Sequence, residues 1–460
     1  MRARFLASTI IVTLHAYLAC DALAEPGALR QLDGTDGCIS SDGTGGECAP
    51  GNGLAGALDV AITADGNSVY VASFSGHAVA VLSRNESTSS GPIGRLMQAA
   101  AEDGCISNEG GGPCAQGKGL LDPFAVAVSQ DGDSVYVAGA ESNAVAAFAR
   151  DPETSTLRQL DGKDGCVSED GSNGACSDGK GLDRPVGLAV PRDGNHVYAT
   201  AGDSTSIAIL ARSERGLATG ALGEVACLSS NDAECTEQAH LSAAIGVKTS
   251  PDGRHLYEVS QGDSALLAFV RNARTGALTP LPGLDACVSN GGSGGTCAPG
   301  RGLLGARALA VSRDGRNVYV ASEFGHSVAV FARDRKTGVL RQLAGLDGCV
   351  VEGGIPGVCA SAKALLSPRG IAVSRDGRNV YVGAAGSDAV AVFARDRKTG
   401  KITQLPGTAG CVSETGTGGA CRDGKALENA GAVAVSDDGK SVYVASFGSD
   451  AVAVFARERR

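Results

Sequence analysis

The chain contains no tryptophan, two methionines and only 4% aromatic residues among 460. A core built on large aromatic plates is therefore excluded, and the interior must be packed from small and β-branched side chains. Positive charge is also in deficit. Forty Lys and Arg stand against 50 Asp and Glu, a formal net charge of −10. Such a surface repels phosphate backbones, and no basic stripe interleaved with aromatics is visible, so a nucleic-acid partner is excluded. No apolar run is long enough to cross a bilayer as a helix. The apolar stretch 5–19 is too short, follows Arg2 and Arg4, and precedes Ala22-Leu23-Ala24. This is the layout of a cleavable signal peptide over 1–24, with the mature chain at 25–460. Leu18-Ala19-Cys20 offers the alternative of a lipoprotein anchor at Cys20, for which Tyr17 is a poor neighbour.

Cysteine, by contrast, is abundant. Setting Cys20 aside with the signal leaves 14. They fall in close pairs: Cys38 and Cys48, Cys105 and Cys114, Cys166 and Cys176, Cys227 and Cys235, Cys287 and Cys297, Cys349 and Cys359, Cys411 and Cys421. An even count at regular spacing in an exported chain reads as disulfides. Zinc sites want closer Cys knuckles with nearby His, so no metal site is expected here. The compartment is secreted or periplasmic.

The cysteine spacing follows an internal repeat. VSRDGRNVYV at 311–320 recurs letter for letter at 373–382, and FARDRKTG at 331–338 recurs at 393–400. One unit reads as three strand-forming runs, 308–312, 317–322 and 327–333, with a fourth at 339–343. Asp314-Gly315 turns the first corner, Gly supplying φ > 0 and Asp bonding back to the backbone. Seven such units follow one another, each with an Asp-Gly turn and one tyrosine: Tyr70, Tyr136, Tyr198, Tyr257, Tyr319, Tyr381 and Tyr443.

The ends of the chain are complementary. ALRQL (28–32) matches a fourth strand, and AVAVFAR (451–457) matches a third strand with only a charged tail after it. The front can thus complete the last unit and remove the exposed sheet edges. The expected fold is all-β: one domain, a seven-bladed β-propeller with four antiparallel strands per blade, closed by the N-terminal strand, and monomeric.

The pattern AVSxDGxxVYVAS…AVAVFxR…TGxLxQL resembles the lactonase-type, YVTN-repeat propellers across 25–460. It lacks the Trp-Asp dipeptides of WD40 repeats and the tryptophan-docking repeats of quinoprotein propellers. The resemblance implies the seven-bladed fold. It also brings in lactone hydrolases and a muconate-cyclising enzyme, with His, Arg and acidic groups around a central pore, alongside many binding and surface proteins. The long Gly- and Asp-rich disulfide loop before every first strand departs from that family and could narrow the pore mouth.

Candidate site residues are those where one unit differs from its siblings. The column before the first strand is Leu58, Phe124, Val186 and Ile245, then Arg307, Arg369 and Gly431. Two adjacent guanidinium groups could grip a carboxylate or phosphate. Asp59, Asp183, Arg184, His240 and Glu428 decorate the same loops. His77 and His326 occupy equivalent turns, where surface positions are expected, and His196 and His255 are expected in solvent on the opposite face. Lys248 and Glu258, both outliers in the fourth unit, are expected to form a cross-strand ion pair. The loop 170–174, DGSNG, is oxygen-rich and could take Ca²⁺, although it lacks the closing Glu of an EF-hand; no cofactor is otherwise implied. Asn85-Glu86-Ser87 matches a glycosylation sequon. Two functions remain open: a binding module that holds a protein or glycan on the disulfide-loop face, and a lactonase-like hydrolase or cyclase acting on a small anionic lactone in the pore.

Overall fold

A computed structural model describes residues 25–108, 110, 112–213 and 219–459. The signal segment 1–24 and Cys20 lie outside the described residues. Seven sheets are arranged around a central channel, with the inner strands of neighbouring blades side by side and the first blade against the last. Blade 1 shows the common plan. Inner strand Ala57–Ile62, middle strand Ser68–Ser73 and third strand Ala78–Arg84 form an antiparallel meander. The fourth position is shared by two short strands, Leu96–Gln98 and Cys105–Ser107, which pair in turn with the third strand. Beyond them Ala115–Gln116 runs parallel to Cys105–Ser107. In blade 3 the two short strands merge into one, Leu222–Ser229, with a bulge.

Blade 7 joins the two ends of the chain. Leu29–Gln31 pairs with the third strand Ala451–Arg457 in the register Leu29↔Arg457, and Cys38–Ser40 pairs further along the same strand. The closure expected from 28–32 and 451–457 is present. It is wider than one strand, since Ala49–Pro50 adds to the same sheet.

Each blade carries one disulfide, and the partners are those the spacing suggests. Cys105 is bonded to Cys114 in blade 1, Cys166 to Cys176 in blade 2, Cys227 to Cys235 in blade 3 and Cys287 to Cys297 in blade 4. Cys349 is bonded to Cys359 in blade 5, Cys411 to Cys421 in blade 6 and Cys38 to Cys48 in blade 7. The Cα–Cα distances are 4.7–4.9 Å. In every pair the first cysteine sits in the outer strand, and the second closes the loop that follows it. The staples therefore stand on the perimeter of the ring. Cys48, Cys114, Cys176, Cys235, Cys297, Cys359 and Cys421 do not touch the channel, and neither does any described residue between paired cysteines. The expectation that these loops narrow the pore mouth is thus corrected: they start from the outer edge of each sheet, on the far side from the inner strands. Seven staples fit an oxidising, extracytoplasmic compartment. No helix among the described residues is long and apolar enough to cross a membrane.

The core lies between blades. All seven strand tyrosines are fully buried, as are Phe148, Phe269, Phe331, Phe393 and Phe455. Small Ala and Val neighbours on the facing blade let these rings pack closely. Each tyrosine hydroxyl donates to a backbone carbonyl, as Tyr443 does to Gly94 O at 2.9 Å, so burying it leaves no polar atom unpaired.

An arginine at the end of each third strand clamps its blade to the preceding one. Arg84 of blade 1 donates from Nε to Tyr443 Oη at 2.9 Å and from Nη2 to Asp438 Oδ2 at 2.8 Å. The same contact recurs through Arg212, Arg271, Arg333, Arg395 and Arg457, while Arg150 reaches Ser68 and Asp65 instead of a tyrosine. The aspartates are those of the Asp-Gly turns. Their other oxygen accepts the local backbone N–H, as Asp438 Oδ1 does from Lys440. Burial alone would raise Asp438; hydrogen bonds from Ser436 and Lys440 and the charge of Arg84 outweigh it and hold the carboxyl below its usual range.

Two further expectations need correction at this belt. His196 and His255 are buried, at 4% and 3% exposure, because the arginine of the next blade covers them. Their Nδ1 atoms lie 3.3 and 2.8 Å from Arg271 and Arg333. Burial and the adjacent guanidinium push both imidazoles below their usual range. Lys248 and Glu258 form no ion pair. Lys248 lies opposite Tyr257 and Glu258 opposite Val247, and a one-residue offset sends two side chains to opposite faces of a sheet. Lys248 opens onto the channel. Glu258 is fully buried and accepts from Ser260 Oγ, at 2.9 and 3.1 Å.

Candidate active site at the channel mouth

Every inner strand begins with a β-bulge. In blade 5, Ala306 pairs with Ser322 and Ala308 with Ala321, leaving Arg307 unpaired; blades 1 to 4 and 6 skip Leu58, Phe124, Val186, Ile245 and Arg369. A bulge re-aims its side chain, and these side chains line the upper end of the channel. The cavity there has a volume of about 430 Å³. Asp59, Lys248, Arg307, Arg369, Asn429, Phe124 and Phe447 all contribute to its wall.

The polar side of the mouth is centred on Glu323, which sequence reading missed. It is the first residue after the middle strand of blade 5 and is 8% exposed. Arg307 Nη1 donates to its Oε2 at 3.0 Å, and Arg369 Nε donates to its Oε1 at 2.8 Å. Gln261, the equivalent residue of blade 4, donates to Oε2 at 2.9 Å. Arg369 Nη1 also donates to Asn429 Oδ1 at 2.9 Å. Burial alone would raise Glu323, but the Arg307 and Arg369 charges prevail and hold it below the usual range. Two guanidinium groups on one carboxylate leave the cluster with a net positive charge. Among the described residues no protein acceptor takes Nε or Nη2 of Arg307, or Nη2 of Arg369.

The other side of the mouth is aromatic. Phe74 meets Phe124 edge-on at 6.3 Å and Phe447 at 6.1 Å. The guanidinium of Arg307 lies 5.8 Å from the centre of the Phe124 ring. The mouth is therefore two-sided, with cations on blades 5 and 6 and phenyl rings on blades 7, 1 and 2.

Below the bulges the wall carries two charged groups, Asp59 and Lys248. Asp59 Oδ1 accepts the Val60 N–H and Oδ2 accepts the Val126 N–H, both at 2.9 Å, so it latches blade 1 to blade 2. Burial raises its pKa against the opposing pull of Lys248 and those two N–H groups.

Of the remaining candidates, Asp183, Arg184, His240 and Glu428 do not line the cavity. Arg184 is half exposed, 3.8 Å from Asp203. His240 comes close to Cys287 and Cys297, but both sulfurs are consumed in a disulfide and offer no thiolate. His77 and His326 are turn residues with φ of 45° and 49°. Each accepts a backbone N–H of the next blade on Nδ1, from Asp122 and Ser367. In the loop 170–174, Asp170 Oδ1 accepts the Ser172 N–H. Asn85 of the sequon is buried, and its amide donates to Gly91 O and Pro92 O.

A family of seven-bladed propellers, the lactonases, matches residues 187–348 and 360–416. The chain belongs to the lactonase seven-bladed β-propeller family. No curated protein matches it. Among solved structures, the periplasmic gluconolactonase of Pseudomonas aeruginosa is similar at 21% identity and TM-score 0.55, covering 83% of this chain and 88% of that one. Hydrazine synthase of Kuenenia stuttgartiensis is similar at 16% identity and TM-score 0.52, covering 89% and 98%. Likeness at this level shows a shared propeller. This lactonase-family chain combines that propeller with seven staples, one per blade.

Proposed function

We propose that the protein is an extracytoplasmic lactonase-type enzyme that takes a small anionic lactone of the sugar-acid class at the upper channel mouth. The observation that carries this reading is the convergence of Arg307 and Arg369 on Glu323 at the rim of the 430 Å³ cavity. Glu323 fixes the two guanidinium groups, whose remaining N–H donors receive the ligand's carboxylate or phosphate. The phenyl wall of Phe74, Phe124 and Phe447 covers the C–H face of the ring. Water adds to the lactone carbonyl and gives up a proton to bulk water. The ring C–O bond then breaks, the leaving oxygen takes up a proton, and the product bears a carboxylate. The family, and the name of the gluconolactonase neighbour, support a lactone as substrate.

A second reading, a docking face for another protein or a glycan, draws on the apolar side chains beside the mouth. Leu304, Phe324 and Leu366 of blades 5 and 6 are 48%, 58% and 39% exposed.

The deciding experiment is a hydrolysis screen of anionic γ- and δ-lactones, the phosphorylated aldonolactones and the aldarolactones, with the oxidised protein, beside the double variant Arg307→Ala with Arg369→Ala. Turnover lost in the double variant supports the enzyme. Absence of turnover, or turnover unchanged by the substitutions, overturns it. Capture of a partner that Phe324→Ser releases would then favour the docking face.

A further inference from the structure

The opposite end of the channel carries a second charged rim. The residue before each Asp-Gly turn stands there, and the column reads Ala64, Gln130, Arg192, Pro251, Arg313, Arg375 and Asp437. Ala, Gln, Pro and Asp are all accepted at this position, so the repeat does not dictate an arginine. Arg192, Arg313, Arg375 and Asp437 border one cavity of about 240 Å³ together with Thr249 and Ser250. Asp437 holds two of the arginines, Arg313 at 3.5 Å and Arg375 in closer contact. Arg192 has no hydrogen-bond or ion-pair partner among the described residues. Three cations against one carboxylate leave this rim at a net charge of +2, in a chain whose net charge is −10.

The construction parallels the upper mouth. Blades 5 and 6 place an arginine at both ends of their inner strands, Arg307 and Arg313 on one and Arg369 and Arg375 on the other. The upper two share Glu323, and the lower two share Asp437. Six residues of strand separate the two ends, about 20 Å at ~3.3 Å per residue. A ligand at one rim therefore does not touch the other. Like charges facing one cavity repel, and a bound anion removes that repulsion while using the fork-shaped donors of each guanidinium.

We propose that the lower rim is a second anion site, separate from the upper mouth, that binds a small oxyanion of charge −2, a phosphate or a dicarboxylate. Arg313 and Arg375 are positioned by Asp437, and Arg192 completes the site from blade 3. Thr249 supplies a hydroxyl at the same wall.

The test is calorimetric titration of inorganic phosphate and of succinate into oxidised protein carrying Arg307→Ala and Arg369→Ala, in which the upper pair is removed. Sodium chloride at matched ionic strength is the control. One anion should bind per chain. Adding Arg192→Gln should weaken it at least fivefold, and adding Arg313→Gln with Arg375→Gln should abolish it. Arg192→Gln breaks no pair in the folded protein, so its effect is separable from misfolding, which circular dichroism checks. Affinity unchanged by these additions, binding absent once Arg307 and Arg369 are gone, or equal heats with chloride would each overturn the site. The outcome is independent of whether lactones are hydrolysed at the other end.

Discussion

Replacing Arg84 by alanine removes the clamp that joins blade 1 to blade 7. Its side chain is wholly enclosed, and Asp438 is about one-third exposed, at 32%. The substitution deletes the bonds to Tyr443 Oη at 2.9 Å, Asp438 Oδ2 at 2.8 Å and Ser441 Oγ at 3.2 Å. Tyr443 still donates to Gly94 O, and Asp438 still accepts from Ser436 and Lys440. Breaking a fully buried pair by removing one partner costs ~3–5 kcal/mol. Water reaches Asp438, so the lower end applies, about 3 kcal/mol. A shift of ~2–4 °C per kcal/mol holds for 150–250 residues and shrinks with size, so Tm should fall by roughly 3–6 °C. The loss should depend on pH. Asp438 has a depressed pKa when folded. Its contribution is complete above the unfolded value near ~3.9 and fades as pH falls through the folded value. Thermal unfolding followed by circular dichroism at pH 7 and pH 3, with Arg158→Ala as an exposed control, provides the measurement. A deficit that is equal at both pH values, or no larger than that of Arg158→Ala, would refute the clamp.

Three further outcomes are expected. Glu258 is buried and its pKa is raised well above the usual value, chiefly by burial. Stability is therefore lost as pH climbs past its unfolded value, and Glu258→Gln should raise Tm at pH 8 and leave it nearly unchanged at pH 4. His196 and His255 have lowered pKa values, so their contribution is present above ~6.5 and fades as pH falls through the folded values. His196→Asn with His255→Asn, using the residue of blades 5 and 6, should flatten a melting profile taken from pH 7 to pH 5; a profile as steep as wild type would count against it. Each staple closes a loop with a sequence separation of 8–10 residues, worth ~2–3 kcal/mol by the chain-entropy estimate. Cys349→Ser with Cys359→Ser should lower Tm without altering the lactone hydrolysis proposed for the mouth, because that staple stands away from it; a folded variant that loses an activity the wild type has would contradict this.

The ring, its seven units and its closure are legible because the repeat writes each blade in the same letters. The partner of each cysteine is legible because the two lie close together and far from the next pair. Where the loops point is not, since spacing along the chain does not say which edge of the sheet carries them. Arg307, Arg369 and Asp59 are legible because they break a column. Glu323 breaks one too, for its equivalents are Phe74, Ala140, Gly202, Gln261, Ala385 and Phe447, but that column lies in a turn. The clamp is hidden for the opposite reason. Its arginine recurs in every blade, and periodicity reveals what recurs without revealing which neighbour it touches. Arg84 and Asp438 are 354 positions apart. His196 and His255 follow a polar turn and read as solvated until the next blade is laid over them. Lys248 and Glu258 fail by one position of register, which only the bulged strand start determines.

Blade 7 draws its strands from opposite extremes of the polypeptide. As the chain is delivered into an oxidising compartment, the leading segment must wait without its sheet while six other blades arrive. Its own cysteines, Cys38 and Cys48, lie near enough to join during that delay, as do the two of every other pair. Each disulfide therefore needs only neighbouring residues to form, with little chance of mismatched partners, and the circle is complete when the seven-residue strand Ala451–Arg457 pairs with Leu29–Gln31.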